Sequence, residues 1–348
     1  MSPCRWSSPT IGSVVDALES LAAGRDLSAD DARSLLEQLI AGQVPDPQAG
    51  ALLALLRAKG ASAGELVAFV ALLREHMAPL NHGYSNLIDT CGTGGGPATF
   101  NISTAAALVV AAAGGRVAKH GNRAVTSLCG SADVLEALGV RLSSEPEHLL
   151  HLLETVRIAF LFAPSHHPAL KAVGPVRKAL GIRTVFNQLG PMLNPAGASI
   201  QLIGVYDYAL AEPMADALRT LGSKRAAVGC GHDGLDEMSP FGPSTFVILD
   251  EGEIRAQEFH PTMFGVDPVA QQDILPGDSP ASNGQILRTA LASPKSPYAR
   301  AVVPSAGMAL WLGGLCPDLQ SAGQLALEVI ASGKALTTLE TLITESNQ

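Results

Sequence analysis

A glycine-rich loop between a short apolar run and an alanine-rich segment constrains the fold of this chain most strongly. The apolar run covers residues 87–91, the loop 92–96 reads GTGGG, and a helical pattern follows over 103–113. Glycines allow backbone amides to approach an anion closely, and a helix N-terminus favours negative charge. The order of strand, glycine loop and helix therefore indicates an α/β protein with an anion site. A purely structural turn is the alternative, because the loop lacks the lysine of a P-loop.

Short apolar runs continue to alternate with helical patterns beyond this loop. Such alternation predicts an α/β fold with a mostly parallel central sheet flanked by helices on both faces. Ligands of such sheets bind beyond the carboxyl ends of the strands, where the polar loops of this chain fall. The predicted strands are 87–91, 117–118, 158–163, 202–206, 226–230 and 245–249, and the helices between them include 103–113, 131–138 and 212–221.

The N-terminal part of the chain has a different pattern. Apolar residues recur at helical spacing, and the sequences Ser-x-x-Asp at Ser28 and Ser-x-x-Glu at Ser62 predict capped helix starts. Each helix has an apolar stripe and no reactive group, which favours a packing or dimerisation role. We therefore predict a small α-helical domain over 11–82 and a larger α/β catalytic domain over 83–348, and we expect residues 1–10 to be disordered.

Composition excludes several functional classes. The net charge of −9 and the aromatic content of 4% argue against a nucleic-acid partner, which requires a positive field and stacking rings. The five cysteines form no C-x-x-C pair, which is typical of a reducing compartment rather than of a disulfide framework or a zinc site. The first residues lack the apolar stretch of a signal peptide, and no run is long enough to span a membrane. We expect a cytoplasmic protein.

The polar sequence KHGNRAVTS at 119–127 is the second candidate site. Two cations, an imidazole, an amide and two hydroxyls lie within nine residues directly after a predicted strand. Lys119 and Arg123 have the charge needed to neutralise a phosphate or diphosphate. A solvated surface loop is the alternative interpretation.

Two further motifs carry ionic groups. The adjacent carboxylates Asp236 and Glu237 suit Mg²⁺, a hard ion that prefers oxygen ligands and often bridges to a substrate phosphate. The proline-rich segment 163–195 contains arginines that can hold a carboxylate. Taken alone, a simple surface charge is the preferred interpretation for Lys178 and Arg183.

Four motifs occur in a characteristic order: GTGG with TFNIST, KHGNRAV with GSADVLEALG, HPA with PVR, LGIRT and LNP, and GLDE. Together they closely resemble the anthranilate phosphoribosyltransferase family over about residues 12–340. The resemblance implies a homodimer built on the helical domain, joined by part of 165–195. It also implies attack of the anthranilate amine on 5-phosphoribosyl-1-diphosphate with Mg²⁺ as cofactor. Anthranilate synthase is a candidate partner protein.

The resemblance also implies roles for individual residues. Lys119, His120 and Arg177 are implied as catalytic, and Ser103, Asp236 and Glu237 as metal contacts. The implied anthranilate contacts are Gly92, His120, Asn122, Arg177 and Pro191, with Arg177 pairing the carboxylate. The implied phosphoribosyl diphosphate contacts are Gly92, Gly95, Gly96, Thr99, Asn101, Ile102, Ser103, Thr104, Lys119, His120, Gly121, Asn122, Arg123, Ala124, Val125, Thr126, Ser127 and Ser131.

The sequence departs from the family pattern in its glycine loop. The family usually reads GTGGDG, whereas this chain reads GTGGG and is one residue shorter, as if the aspartate were deleted. We predict that activity survives, with an altered Mg²⁺ dependence or substrate affinity.

Two other functions are considered as alternatives. A pyrimidine nucleoside phosphorylase has a related fold but lacks the KHGNR and LNP strings. A non-catalytic, nucleic-acid-binding paralogue would be basic, with eroded loop motifs, whereas this chain is acidic and retains them.

Overall fold

The described residues of the N-terminal region fold into four helices. The computed structural model describes residues 13–124 and 129–348, so the prediction for residues 1–10 lies outside the described residues. The predicted cap at Ser62 is a complete capping box: its hydroxyl accepts from Glu65 N at 3.3 Å, and the Glu65 carboxylate accepts from Ser62 N at 2.8 Å. The Ser28 hydroxyl accepts from Asp31 N at 3.2 Å. The helices are α1 (Val14–Ala22), α2 (Ala29–Ile40), α3 (Asp46–Lys59) and α4 (Ala63–Glu75).

The second region is built on one seven-stranded sheet with the order β3-β2-β1-β4-β5-β6-β7. The strands from β3 to β5 in this order are parallel, and β6 and β7 are antiparallel additions at one edge. The predicted α/β class with a mostly parallel sheet is therefore confirmed. The strands are β1 (Leu87–Gly92), β2 (Arg116–Gly121), β3 (Ile158–Phe162), β4 (Ile200–Gly204), β5 (Arg225–Gly231), β6 (Ser244–Asp250) and β7 (Glu253–Phe259).

Helices cover both faces of the sheet. Short helices between β3 and β4 come from the proline-rich segment, and four long helices follow β7. No helix of the described ranges is long and apolar enough to cross a membrane. The helices are α5 (Ile102–Ala112), α6 (Ser131–Ala137), α7 (Pro146–Thr155), α8 (Ala163–His166), α9 (Gly174–Leu180), α10 (Val185–Met192), α11 (Ala211–Thr220), α12 (Pro280–Ala292), α13 (Pro297–Leu312), α14 (Leu319–Ala331) and α15 (Lys334–Ser346).

The sheet separates two hydrophobic cores. One core packs α5, α7 and the C-terminal helices α12–α15 on one face. The other core joins α10, α11 and the opposite face of the sheet to the buried sides of the four N-terminal helices. Leu52 of α3 and Val228 of β5, both fully buried, belong to this second core. The helical region is therefore packed continuously against the sheet.

The predicted elements from 87 to 249 are present with small shifts of their ends. Strand β2 extends over six residues, whereas the sequence predicted only 117–118, because its second half carries the polar side chains of Lys119 and His120. The edge strand β7 and the helices after it were not predicted. Strand β7 reads EIRAQEF and is mostly exposed, so it lacks the apolar run that marks the buried strands.

Candidate functional site

The predicted site loops meet beyond the carboxyl ends of the central parallel strands. Strands β1, β2, β4 and β5 are parallel neighbours, so the loops that follow Gly92, Gly121, Gly204 and Gly231 all leave from their carboxyl ends. Gly92 is level with Gly204 in the sheet register. The glycine loop, the KHGNR loop and the segment with the adjacent carboxylates are thereby brought together.

The loop after β5 crosses the end of β4 and contacts the glycine loop. A side chain at Gly204 would overlap the backbone of Asp236, so a glycine is needed for this crossing. The Asp236 carboxylate then reaches the glycine loop, where Gly96 N donates to Oδ1 at 3.3 Å. A Cβ at Gly92 would lie 2.9 Å from Asp236 Oδ2. The carboxylate is thus packed directly against the loop that was predicted to bind phosphate.

Glu237 lies next to the first turn of α5. Its Oε1 atom accepts from the backbone amide of Ser103 at 3.1 Å. Burial and the neighbouring Asp236 charge raise the pKa of Glu237 to about 8, and burial also raises the pKa of Asp236. A cation bound between these two carboxyl groups would stabilise their ionised forms. The oxygen donors of Asp236, Glu237 and Ser103 fit Mg²⁺.

Lys119 is buried close enough to Glu237 to interact electrostatically with it and is 2% exposed. Its Nζ atom donates to the Thr90 carbonyl and lies 3.4 Å from Ser103 Oγ. Burial lowers the pKa of Lys119, and the nearby carboxylates of Asp89 and Glu237 oppose that shift. Lys119 of β2 thereby contacts both β1 and α5.

Asp89 organises a second buried network that the sequence analysis did not assign. Its carboxylate accepts from His120 N at 3.1 Å and from Asn194 Nδ2 at 2.8 Å. Asn194 Nδ2 also donates to the Ala118 carbonyl at 2.8 Å. Burial raises the pKa of Asp89 to about 6. Asn194 lies within the LNP motif and Asp89 within the predicted strand 87–91, but only the folded structure shows that they bridge β1, β2 and the end of α10.

His120 is paired with a second buried histidine. Its Nε2 atom lies 3.2 Å from His167 Nε2, and the two rings meet edge to face. Burial lowers the pKa of His120 to about 3 and that of His167 to about 4, so both are neutral at physiological pH. The Gly190 carbonyl hydrogen bonds to His120, which places the imidazole beside Pro191. Gly190 directly precedes Pro191, so His120 and Pro191, two of the implied anthranilate contacts, lie close together in the fold.

The loop after β2 is tied to the start of α6. The Asp133 carboxylate accepts from the backbone amides of Ala124 and Gly130, both at 2.9 Å. The Arg123 guanidinium is exposed and pairs with Glu136 and with Asp133. Ser131 Oγ donates to the Asn122 carbonyl at 3.3 Å. The predicted contacts Val125, Thr126 and Ser127 lie outside the described residues.

Most of the remaining predicted contacts lie at the N-terminus of α5. Asn101 Nδ2 donates to the Cys129 carbonyl at 3.1 Å and so links this helix to the α6 loop. Asn101 Oδ1 and Thr104 Oγ1 are buried and have no hydrogen-bond partner in the described part of the chain. Ile102 is buried, whereas Thr99 and Gly121 are partly exposed at the site. The unsatisfied oxygens leave capacity for a polar ligand or water.

The two arginines of the proline-rich segment differ. Arg177 lies on α9, partly buried, with its guanidinium 5.2 Å from the centre of the Phe186 ring. Burial lowers the pKa of Arg177, and among residues 13–124 and 129–348 no carboxylate offsets that effect. Arg183 donates to the Gly95 carbonyl of the glycine loop. The surface-charge interpretation is therefore wrong for Arg183, while Lys178 is exposed as predicted.

Comparison with known proteins first defines the class. The a/b domain of a glycosyl transferase family matches residues 84–336, and the helical bundle domain of a glycosyl transferase family matches residues 15–77. Both domains correspond to regions described above, and the matched parts cover most of the chain.

Relatives and solved structures then define the family. Anthranilate phosphoribosyltransferases from Desulfatibacillum aliphaticivorans and Moorella thermoacetica are 42% and 44% identical, over 94% of this chain and 97% and 96% of their own. The crystal structure of the Thermus thermophilus anthranilate phosphoribosyltransferase superposes with a TM-score of 0.88 at 39% identity, covering 95% of this chain and 99% of that one. The chain belongs to the anthranilate phosphoribosyltransferase family.

A more distant member carries ligands. The Saccharomyces cerevisiae enzyme in complex with PRPP and Mg is 27% identical, with a TM-score of 0.85 over 96% of this chain and 98% of its own. The same yeast enzyme has also been solved in complex with 4-fluoroanthranilate.

Proposed function

We propose that this protein transfers the phosphoribosyl group of 5-phosphoribosyl-1-diphosphate to the amine of anthranilate, giving N-(5-phosphoribosyl)anthranilate and diphosphate. This is the second step of tryptophan biosynthesis from chorismate. One observation carries the proposal. The glycine loop, the N-terminus of α5 and the Asp236–Glu237 pair contact one another beyond the carboxyl ends of the parallel strands. The alternatives of a nucleoside phosphorylase and a nucleic-acid-binding paralogue have no comparable support.

The diphosphate end of the substrate lies against the glycine loop and the N-terminus of α5 in this proposal. Backbone amides of the loop and the helix terminus donate to the anionic oxygens. Ser103, Asp236 and Glu237 would hold Mg²⁺, which supplies charge neutralisation to the leaving group when bound. Lys119 adds a buried positive charge within hydrogen-bond reach of Ser103. Charge that develops as the C1–O bond breaks is thus met by donors already in place.

The second substrate is an aromatic amine with a carboxylate beside it, and it needs orientation more than activation. Arg177 is a partly buried cation without a protein carboxylate among the described residues, so it is suited to a substrate carboxylate. The ring would lie near His120 and Pro191, and Asn122 and Gly92 would border the reacting carbon. Neutral His120 presents no positive charge to repel the developing oxocarbenium ion.

Assembly and location are also part of the proposal. A homodimer formed through the helical domain and part of 165–195 agrees with the packing of α9 and α10 on the N-terminal helices. Anthranilate synthase remains a candidate partner, and the cytoplasm the proposed compartment. Cys91, Cys129, Cys230 and Cys316 are free thiols, as a reducing compartment requires.

Loss of anthranilate fluorescence on addition of phosphoribosyl diphosphate and Mg²⁺ tests the function. We expect turnover by the wild type. Arg177→Ala should raise KM for anthranilate about tenfold to a hundredfold, because a charge-assisted hydrogen bond contributes roughly 1.5–3 kcal/mol. Lys178→Ala, which removes an exposed charge from the same helix, is the matched control and should leave KM unchanged.

No turnover by the folded wild type would overturn the function. An unchanged anthranilate KM in Arg177→Ala, with normal turnover, would overturn only the role of Arg177.

A further inference from the structure

Arg183 connects three parts of the molecule that the site depends on. Its backbone carbonyl accepts from Arg57 Nη1 of α3 at 2.8 Å, so the N-terminal helices hold this position. Its guanidinium lies 4.3 Å from the centre of the Tyr206 ring, beyond β4. Its Nη2 atom donates to the Gly95 carbonyl. Arg183 thus reaches the shortened glycine loop from the segment between α9 and α10.

The glycine loop is held on both sides. Thr93 N donates to the Gly204 carbonyl at 2.8 Å, and Thr93 Oγ1 accepts from Tyr206 N at 3.1 Å. Further along, the Gly95 carbonyl accepts from Arg183 and Gly96 N donates to Asp236. A Cβ at Gly95, where φ is +102°, would overlap the guanidinium. The loop and Arg183 are therefore closely fitted to each other.

The planarity of the peptide bond links the last two contacts. In a trans peptide the carbonyl of one residue and the N–H of the next point in opposite directions. The hydrogen bond from Arg183 to the Gly95 carbonyl therefore turns the Gly96 N–H towards the other side, where it meets Asp236 Oδ1. Without Arg183, only the 3.3 Å hydrogen bond from Gly96 N to Asp236 holds this peptide unit, and rotation becomes easier because glycine tolerates many backbone conformations.

We propose that Arg183 is a positioning residue that fixes the Gly95–Gly96 peptide plane, and through it the donors and the Asp236 carboxylate that bind the magnesium–diphosphate part of the substrate. This inference rests on the proposed function. Arg183 does not touch the reacting atoms. A lysine cannot replace it, since only the planar guanidinium can stack on Tyr206 while donating sideways to the carbonyl.

The test compares Arg183→Leu, Arg183→Lys and the control Lys178→Ala by steady-state kinetics. In Arg183→Leu we expect KM for phosphoribosyl diphosphate to rise about tenfold or more, as for loss of a hydrogen bond from a charged donor. KM for anthranilate should change less than about twofold, because Arg183 acts on the diphosphate side. Arg183→Lys should resemble Arg183→Leu, and Lys178→Ala should resemble the wild type.

Two results would overturn the proposal. One is an unchanged phosphoribosyl diphosphate KM in Arg183→Leu. The other is full rescue by Arg183→Lys, which would mean that charge alone suffices. Calorimetric binding of inorganic diphosphate with Mg²⁺ is a second readout that needs no anthranilate. Weaker binding by the Arg183 variants would support the positioning role even if the wild type does not turn over anthranilate, so the two proposals can fail separately.

Discussion

Burial, more than residue type, decides the chemistry of the single residues at this site. Lys119 and Arg123 belong to one motif, yet Lys119 is buried against Ser103 while Arg123 is exposed and paired with Glu136. Burial raises the pKa of Glu237 and lowers that of His120. The same desolvation thus favours the neutral form of both groups, and a bound cation would favour the ionised form of Glu237.

The His120–His167 pair predicts a pH dependence of stability. Both pKa values are lowered in the folded state, so the unfolded chain binds more protons below its ordinary histidine pKa. The contribution of the two neutral histidines to the free energy of unfolding is fully present above about pH 6.5. It is lost as the pH falls towards their pKa values in the folded state. His167→Gln should reduce the loss of unfolding free energy between pH 7 and pH 5 by about 2 kcal/mol.

Urea unfolding at the two pH values measures this difference. His76→Gln, at an exposed position, is the control and should keep the wild-type dependence. Equal losses in wild type and His167→Gln would contradict the prediction. Asp89 has a raised pKa, so its effect on the free energy of unfolding has the opposite pH dependence in both proteins. The difference between wild type and His167→Gln therefore isolates the effect of His167.

At the scale of elements, the ends of neighbouring parallel strands assemble the site. The loops after β1, β2 and β5 are distant in sequence and adjacent only because of the strand order. In this chain the first of them is short, and Gly96 takes the position against the Asp236 carboxylate. The length of this loop therefore bears directly on the candidate metal site.

An aspartate inserted between Gly95 and Gly96 tests the effect of the shorter loop. The insertion adds a negative charge beside Asp236, so we expect the Mg²⁺ concentration for half-maximal rate to fall about threefold or more, with activity retained in both proteins. Insertion of asparagine is the uncharged control and should not produce that shift. Superimposable Mg²⁺ titrations of the wild type and the aspartate insertion would refute the prediction.

Sequence motifs predicted the strands that carry the site, the loops and the two carboxylates. They did not predict what lies between the motifs. The contacts of Arg183 with Gly95, and of Asn194 with Asp89, depend on strand register and on the path of the proline-rich segment. Strand β7 was also missed, since an edge strand with one exposed face need not be apolar.

At the scale of the whole molecule, the N-terminal helices and the sheet share one hydrophobic core. The different sequence patterns of the two regions predict two separate domains. The buried surface between them predicts that they unfold together, since exposing one face exposes the other.

Leu52→Ala in α3 tests this coupling. Leu52 is fully buried in the shared core, so truncation should lower the unfolding free energy by about 2–5 kcal/mol. Trp311 on α13 reports from the far side of the sheet once Trp6 is replaced by phenylalanine. We expect the Trp311 fluorescence transition and the far-UV circular dichroism transition to shift together in urea.

Glu37→Ala, on an exposed face of α2, is the control and should shift neither signal appreciably. A circular dichroism transition that moves while the Trp311 transition stays in place would mean that the helical region unfolds independently.

The two edges of the sheet have different protection from intermolecular pairing. Strand β3 contacts α7 and is mostly buried. Strand β7 pairs only with β6 among the described strands, and its outward residues include Glu253, Arg255 and Glu258. Charged side chains along an open edge make the addition of a strand from another molecule unfavourable. The charges of β7 therefore oppose extension of this sheet by a second molecule at its open edge.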